Sequence, residues 1–228
     1  MYDGILLINK VVDLTSYDVI RRLKPQLPKK HKIGHAGSLD PFATGLLVIT
    51  VGSATKLFDK FQEKNKKYLV TGEFGYETDT YDCTGEVTFR DSDYTQKVSK
   101  EKIEGVLKNF QGEIYQTPPK FSAKKIQGKR AYDLARSKED FEMEKKKIFI
   151  YRVELKEYME NTFTLEIECS KGTYIRSIVV DVARELDTYA TPISLTRTAI
   201  GEYILEDSAN LEDVDIEKDL IDMKNILI

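Results

Sequence analysis

Apolar and polar positions along the chain fall into short runs of changing period. Asp3–Lys10 (DGILLINK) and Leu46–Gly52 (LLVITVG) are compact apolar stretches with strand character. Lys66–Gly75 (KKYLVTGEFG) alternates at period two, and Gly85–Arg90 (GEVTFR) reads as a further strand. Lys146–Glu160 and Thr162–Ser177 are long β-rich stretches. Helical spacing appears in Thr15–Lys24, where Val19, Ile20 and Leu23 share a face, Thr15 or Ser16 caps the start and Pro25 and Pro28 end it. Ser53–Gln62 predicts a helix capped by Ser53. Ser99–Gly112 predicts one with Ile103, Val106, Leu107 and Phe110 inward and Gly112 as C-cap. Ala131–Asp140 and Tyr174–Asp187 complete the helices. Between them, His31–Gly45 (HKIGHAGSLDPFATG) carries too much glycine and proline for a regular element and reads as an ordered loop. The sum is an α/β (α+β) domain dominated by antiparallel strands, with the unusual chemistry on loops.

Composition narrows the class. The 228 residues are 41% hydrophobic and 32% charged, the balance of a soluble globular chain. No apolar run approaches the ~18 residues of a membrane span, and the start has no signal-peptide pattern. Cys83 and Cys169 stand apart, outside any CxxC or Cys/His cluster, which fits a reducing compartment such as the cytoplasm. With His31 and His35 the sole histidines, a multi-histidine metal site is excluded. Net charge is −3, yet Lys120–Arg152 holds eleven Lys/Arg against five Asp/Glu, while residues 202–228 hold two against nine. Phosphate contacts are local, so this asymmetry keeps a nucleic-acid partner open beside the plainer reading of a solvated helix face and an acidic tail.

Asp40 is the candidate for chemistry in the His31–Gly45 loop. Composition alone reads it as a structural turn residue in SLDP. Pro41 removes an amide and biases Asp40 away from the helical region, while Gly34, Gly37 and Gly45 allow close backbone approach. A carboxylate nucleophile needs a partner cation, and the fork of Arg176, in CSKGTYIRS, is a suitable one.

Four ordered blocks then carry a resemblance: GHAGSLDPFATGLLVITVGSATKL, KKYLVTGEFGYETDTYDCTGEV, TPPKFSAKKIQGKRAYDLAR and CSKGTYIRSIVVDVARELD. Together they resemble the TruB-type tRNA pseudouridine-55 synthases from about Gly4 to Gly201. The resemblance implies the pseudouridine synthase fold, with residues 1–201 as catalytic domain, an RNA-gripping insertion at about 117–147, and a short acidic extension at 202–228. It implies isomerisation of uridine 55 in the T loop of tRNA, without metal or cofactor. Asp40 matches the nucleophile, Arg176 the arginine that pairs with it, and Tyr68 the tyrosine that stacks on the uracil and takes part in proton transfer. Tyr174 and Leu195 match residues lining the uridine pocket, and His35 the histidine that fills the space of flipped bases. Lys124, Lys125, Lys129 and Arg130 fall in the insertion as phosphate contacts.

Physical chemistry agrees with these roles. The target base must leave its stack to be reached, an aromatic face replaces the lost stacking, and a paired arginine opposes protonation of a buried carboxylate. The chain also departs from the family pattern. Val11 and Asp13 replace a proline and a glycine of the N-terminal turn, Thr196 stands where a basic residue is common, and Asp187–Pro192 replaces a glycine-rich turn. Residues 202–228, expected as a strand end and an acidic helix, are too few for the RNA-binding (PUA) domain that many members carry. The expectation is a monomer acting on the tRNA T stem-loop without an obligate protein partner. An RNA-guided relative, or an RNA-binding module or tRNA-folding chaperone, is the alternative.

Overall fold

The computed structural model describes residues 2–126, 128–137 and 141–227. Strand β1 (Gly4–Lys10) leads through helix α1 (Ser16–Leu23) to β2 (Ile33–Ala36) and β3 (Thr44–Val51). Helix α2 (Phe58–Glu63) precedes β4 (Lys66–Phe74), the hairpin strands β5 (Tyr76–Thr78) and β6 (Val87–Arg90), the single turn α3 (Tyr94–Lys97), α4 (Lys100–Leu107) and β7 (Gly112–Gln116). The short pair β8 (Lys125–Ile126) and β9 (Lys129–Arg130) and helix α5 (Ala131–Arg136) come before the long strands β10 (Lys146–Met159) and β11 (Thr162–Cys169). Then follow α6 (Ile175–Glu185), β12 (Ala190–Ile200), β13 (Tyr203–Ile204), β14 (Ala209–Asn210), α7 (Ile216–Asp219) and β15 (Ile221–Asp222). The chain divides into two compact units, Met1–Leu69 with Leu195–Ile228, and Val70–Ser194. Each is built on a mainly antiparallel sheet flanked by helices, as the sequence predicts.

In the first unit the strand order is β14-β1-β3-β12, with β15 on β1, β2 on β3 and β13 on β12. β1 and β3 run antiparallel from Gly4 opposite Val51 to Lys10 opposite Gly45. Both faces of this pair are covered, so both strands read as unbroken apolar runs rather than alternating ones. Leu6, Ile8, Leu47 and Ile49 pack with Val19, Ile20 and Leu23 of α1. Ile5, Leu7, Leu46 and Val48 pack on the other side with Phe61, Ile200 and Tyr203. Helix α1 starts in a reciprocal capping box between Thr15 and Asp18.

In the second unit β4, β11, β10 and β7 are neighbours in that order. Gly72 is required there by close approach: a Cβ would stand 2.7 Å from Val179 and 2.8 Å from Phe163. Phe74 stacks on Phe163 at 4.5 Å, and buried Ile103, Ile150, Leu165, Ile167, Ile178 and Val182 contribute to the core.

Several elements differ from the sequence expectation. The His31–Gly45 loop contains β2, whose Ile33–Ala36 pairs antiparallel with Val51–Val48; a tertiary partner overrides the glycine signal. Ser53–Gln62 is split into a tight 3₁₀ stretch, Gly52–Leu57, and α2, because the Ser53 amide donates to Asp3 Oδ1 (2.6 Å) instead of the Ser53 side chain capping a helix. Helix α4 ends at Leu107, and Gly112, at φ +97°, opens β7 rather than capping the helix. Val106 is half-buried. Helix α5 covers Ala131–Arg136, and the remainder of that expected helix runs into residues outside those described. Residues 190–200, unassigned from sequence, form β12. The expected acidic C-terminal helix is the single turn α7, and the segment instead lays β14 and β15 along β1.

Asp13 (φ 63°) and Asp187 (φ 55°) adopt the left-handed conformation, which aspartate tolerates better than most residues.

Gly45 has φ +101°, and a Cβ there would run into the backbone of Arg197 on β12, with Arg197 N at 2.8 Å. Gly45→Ala is expected to lower the unfolding free energy by at least about 2 kcal/mol in urea titrations. Gly105, in α4 with nothing within 4 Å of its Cβ position, is the contrast: Gly105→Ala should stabilise by about 0.5–1 kcal/mol.

Candidate active site

The loop from Gly37 to Ala43 joins β2 to β3 and carries Asp40, which is half-buried. Its neighbours are tied down almost residue by residue. The Leu39 amide donates to Ser16 Oγ (2.9 Å), at the start of α1. The Pro41 carbonyl accepts from the Asp13 amide (2.9 Å) and from Lys10 Nζ (3.2 Å). The Ala43 amide closes a turn on the Asp40 carbonyl (3.1 Å). Asp40 therefore sits at a defined position although its loop is short of regular structure.

Lys10 and Arg197 flank this loop, and sequence reasoning missed both. Lys10 ends β1 with none of its surface exposed, and Nζ also donates to the carbonyls of Leu14 (2.8 Å) and Val11 (2.9 Å). Burial pushes its pKa down to about 8, while the charge of Asp40 acts in the opposite direction. Arg197, 1% exposed on β12, donates Nε to the Leu46 carbonyl (2.8 Å), Nη2 to Gly37 (2.9 Å) and Nη1 to Ser38 (3.4 Å). Among the described residues neither cation has a carboxylate within ion-pair distance. The available signal for Arg197 was the alternation of LTRTA, which fits a strand with an inward cation.

His35 lies on β2 opposite Ile49, half-buried, with Nδ1 buried and without a hydrogen-bond partner. Burial, and after it the Arg197 charge, push its pKa down, so the ring is neutral at pH 7. Tyr68 is half-buried on β4. Two residues before it, Lys66 Nζ donates to the Phe61 (3.0 Å), Gln62 (2.5 Å) and Lys64 (2.6 Å) carbonyls, capping α2 and fixing where β4 begins. Leu195 is buried, and its carbonyl accepts from Thr44 Oγ1 (3.5 Å). Of the residues expected at the site, His35, Asp40, Tyr68 and Leu195 belong to the first unit.

Tyr174 and Arg176 belong to the second unit, where Tyr174 is the N-cap of α6. Buried Gln116 grips the Tyr174 backbone from both sides: Nε2 donates to its carbonyl (2.9 Å) and Oε1 accepts from its amide (2.8 Å). Arg176, 4% exposed, donates Nη1 to the Thr80 carbonyl (2.5 Å) and Nη2 to that of Phe121 (3.0 Å), and lies 3.4 Å from Asp82 Oδ2. Asp82 also accepts from Thr80 Oγ1 (2.9 Å), the Thr84 amide (3.0 Å) and Thr84 Oγ1 (2.5 Å). The threonines spaced around it in TDTYDCT were the available sign of this buried carboxylate.

In the basic segment, Lys129 and Arg130 are exposed on β9. Arg130 and Arg136 approach the Tyr132 ring at 5.8 and 5.5 Å, a cation–aromatic cluster. Lys124 is half-buried, with Nζ donating to the Glu144 carbonyl (3.2 Å). The Lys125 side chain lies outside what the structure describes.

The family described as TruB family pseudouridylate synthase (N terminal domain) matches residues 24–175. A Caldicellulosiruptor saccharolyticus protein named tRNA pseudouridine synthase B is 39% identical over 226 residues, 99% of this chain and 77% of that protein. The protein of the same name from Fusobacterium nucleatum is 44% identical over 204 residues, 90% and 70% of the two chains. Among solved structures, a chain of a Cbf5-Nop10-Gar1 complex superposes with a TM-score of 0.70 at 24% identity, covering 95% of this chain and 54% of its own length. This chain thus spans about half of that structure's chain, and the likeness establishes the pseudouridine synthase fold. On the family match and on these relatives, the chain belongs to the TruB family of pseudouridylate synthases.

Proposed function

We propose that this protein isomerises uridine 55 in the T loop of tRNA to pseudouridine, with Asp40 as the nucleophile. The observation that carries the reading is the bracing of the Asp40 loop. Leu39 is held by Ser16 and Pro41 by Lys10 and Asp13, so a half-buried carboxylate is presented from a backbone with little freedom. Substrate class is supported by the names of the relatives, and uridine 55 by the ordered motifs from Gly34 to Asp187. The net reaction breaks the bond from ribose C1′ to uracil N1 and makes one from C1′ to C5; a proton leaves C5 and one arrives at N1. Electrons and atoms balance without an external reactant, so no cofactor is needed.

In this reading the target nucleotide is flipped out of its stack. Tyr68 supplies the aromatic face for the uracil and takes part in proton transfer, Tyr174 and Leu195 line the uridine, and His35 occupies the space it vacates. Arg176 serves as the arginine that pairs with the nucleophile. Lys129 and Arg130, with Lys124 and Lys125, contact phosphates of the T stem. The protein acts as a monomer, without guide RNA or obligate partner.

Asp40→Asn is expected to lower pseudouridine formation on an unmodified tRNA transcript by at least about a thousandfold, while T-arm binding survives; carbodiimide mapping of the product reads both the reaction and the position. Modification at another uridine, or turnover near the wild-type level, would refute the assignment. Purified protein alone should also modify a T-arm hairpin, and activity that appears only with an added guide RNA would favour the RNA-guided alternative. Lys129→Ala with Arg130→Ala should weaken RNA binding and flatten its dependence on log salt by about 0.7–0.9 for each phosphate that is no longer neutralised; an unchanged slope would return those cations to solvated surface.

A further inference from the structure

We infer that Arg197 is a positioning residue for Asp40, setting the place of the carboxylate through the carbonyls of Gly37 and Ser38. The inference rests on the reading of Asp40 as nucleophile.

A single planar guanidinium bridges both ends of the segment that carries Asp40. It holds Gly37 and Ser38, three and two residues before Asp40, and Leu46, six residues after it. Its own backbone is anchored by parallel pairing of Thr196 with Thr44 and of Arg197 with Gly45. Gly37 has φ +93°, a left-handed conformation that glycine adopts readily, and a Cβ at that position would stand 3.5 Å from Arg197 Nη1.

The chemistry of Arg197 argues for geometry rather than for bulk. Taking a guanidinium out of water costs several kcal/mol unless it is well bonded. Here the bonds go to three carbonyls and, among the described residues, to no carboxylate. An apolar residue of similar volume would fill this space without that penalty, but only a fork of fixed shape can address three carbonyls in one plane. Ser16, Asp13 and Lys10 hold Leu39 and Pro41 independently of it. Loss of Arg197 therefore frees Gly37, Ser38 and Leu46 while Leu39 and Pro41 stay tied, which shifts Asp40 rather than unfolding its surroundings. A displacement of about 1 Å at a reacting group costs on the order of a hundredfold in rate.

The test uses the full-length protein with Arg197→Gln, Arg197→Lys and Asp40→Asn, assayed for pseudouridine in tRNA transcript well below each variant's melting temperature. Arg197→Gln should lower kcat by about a hundredfold with KM and T-arm affinity within about twofold of wild type. Arg197→Lys keeps the charge but cannot fill the fork, and should recover to about tenfold below wild type. It also serves if the glutamine variant does not fold. In ¹⁵N-labelled protein the His35 imidazole signals should move in both variants, and those of His31 should stay. Wild-type kcat in a folded variant, or a raised KM with kcat unchanged, overturns the inference; the second result would make Arg197 an RNA-binding group. If Asp40→Asn keeps wild-type turnover, the nucleophile reading falls and this inference with it. An inactive Asp40→Asn beside a fully active Arg197→Lys or Arg197→Gln overturns this inference alone.

Discussion

Three backbone carbonyls converge on the ammonium of Lys10, and the local architecture around Asp40 hangs on that convergence. Val11, Leu14 and Pro41 come from two different turns, so one fully buried cation stitches the β1–α1 connection to the loop after Asp40. Burying an unpaired charge is unfavourable, which is why the Lys10 pKa falls to about 8. Charge-assisted hydrogen bonds offset part of that cost, as does the charge of Asp40 nearby. The turn, the start of α1 and the Asp40 loop therefore have one low-energy arrangement among themselves.

Such a device works only on a stiff base. The β1–β3 pair provides one, because both of its faces are packed and a slip of one residue would exchange the two cores. Lys10 and Gly45 are opposite each other at the end of this ladder, at the point where the sheet gives way to loop. The Asp40 loop is thus placed just beyond the last rigid pair, where a side chain can be half-exposed without losing its backbone reference.

In the second unit the same logic is met with different parts. Gln116 fixes the Tyr174 backbone through both of its amide ends, and Arg176 is spread over two carbonyls and Asp82. Polar side chains satisfied by main-chain atoms recur at Lys10, Lys66, Gln116, Arg176 and Arg197. Each ties down the end of a regular element or the loop beside it. The basic segment differs in kind, since Lys129 and Arg130 are exposed on β9.

The sequence by itself determined the strands and helices whose burial is written in their own period, β1, α1, β3, β4 and α6 among them, and it singled out Asp40, Tyr68, Arg176 and Leu195 as candidates through ordered motifs. It also marked the turns, although Asp13 and Asp187 showed that a left-handed position can be filled without glycine. Tertiary structure alone decided what depends on residues far apart in the chain. Ile33–Ala36 became a strand because β3 offered an edge, and the acidic tail became strands because β1 did. Lys10 and Arg197 look like ordinary surface cations in a linear reading. Their roles come from carbonyls that fold onto them, and a carbonyl carries no residue identity for the sequence to display.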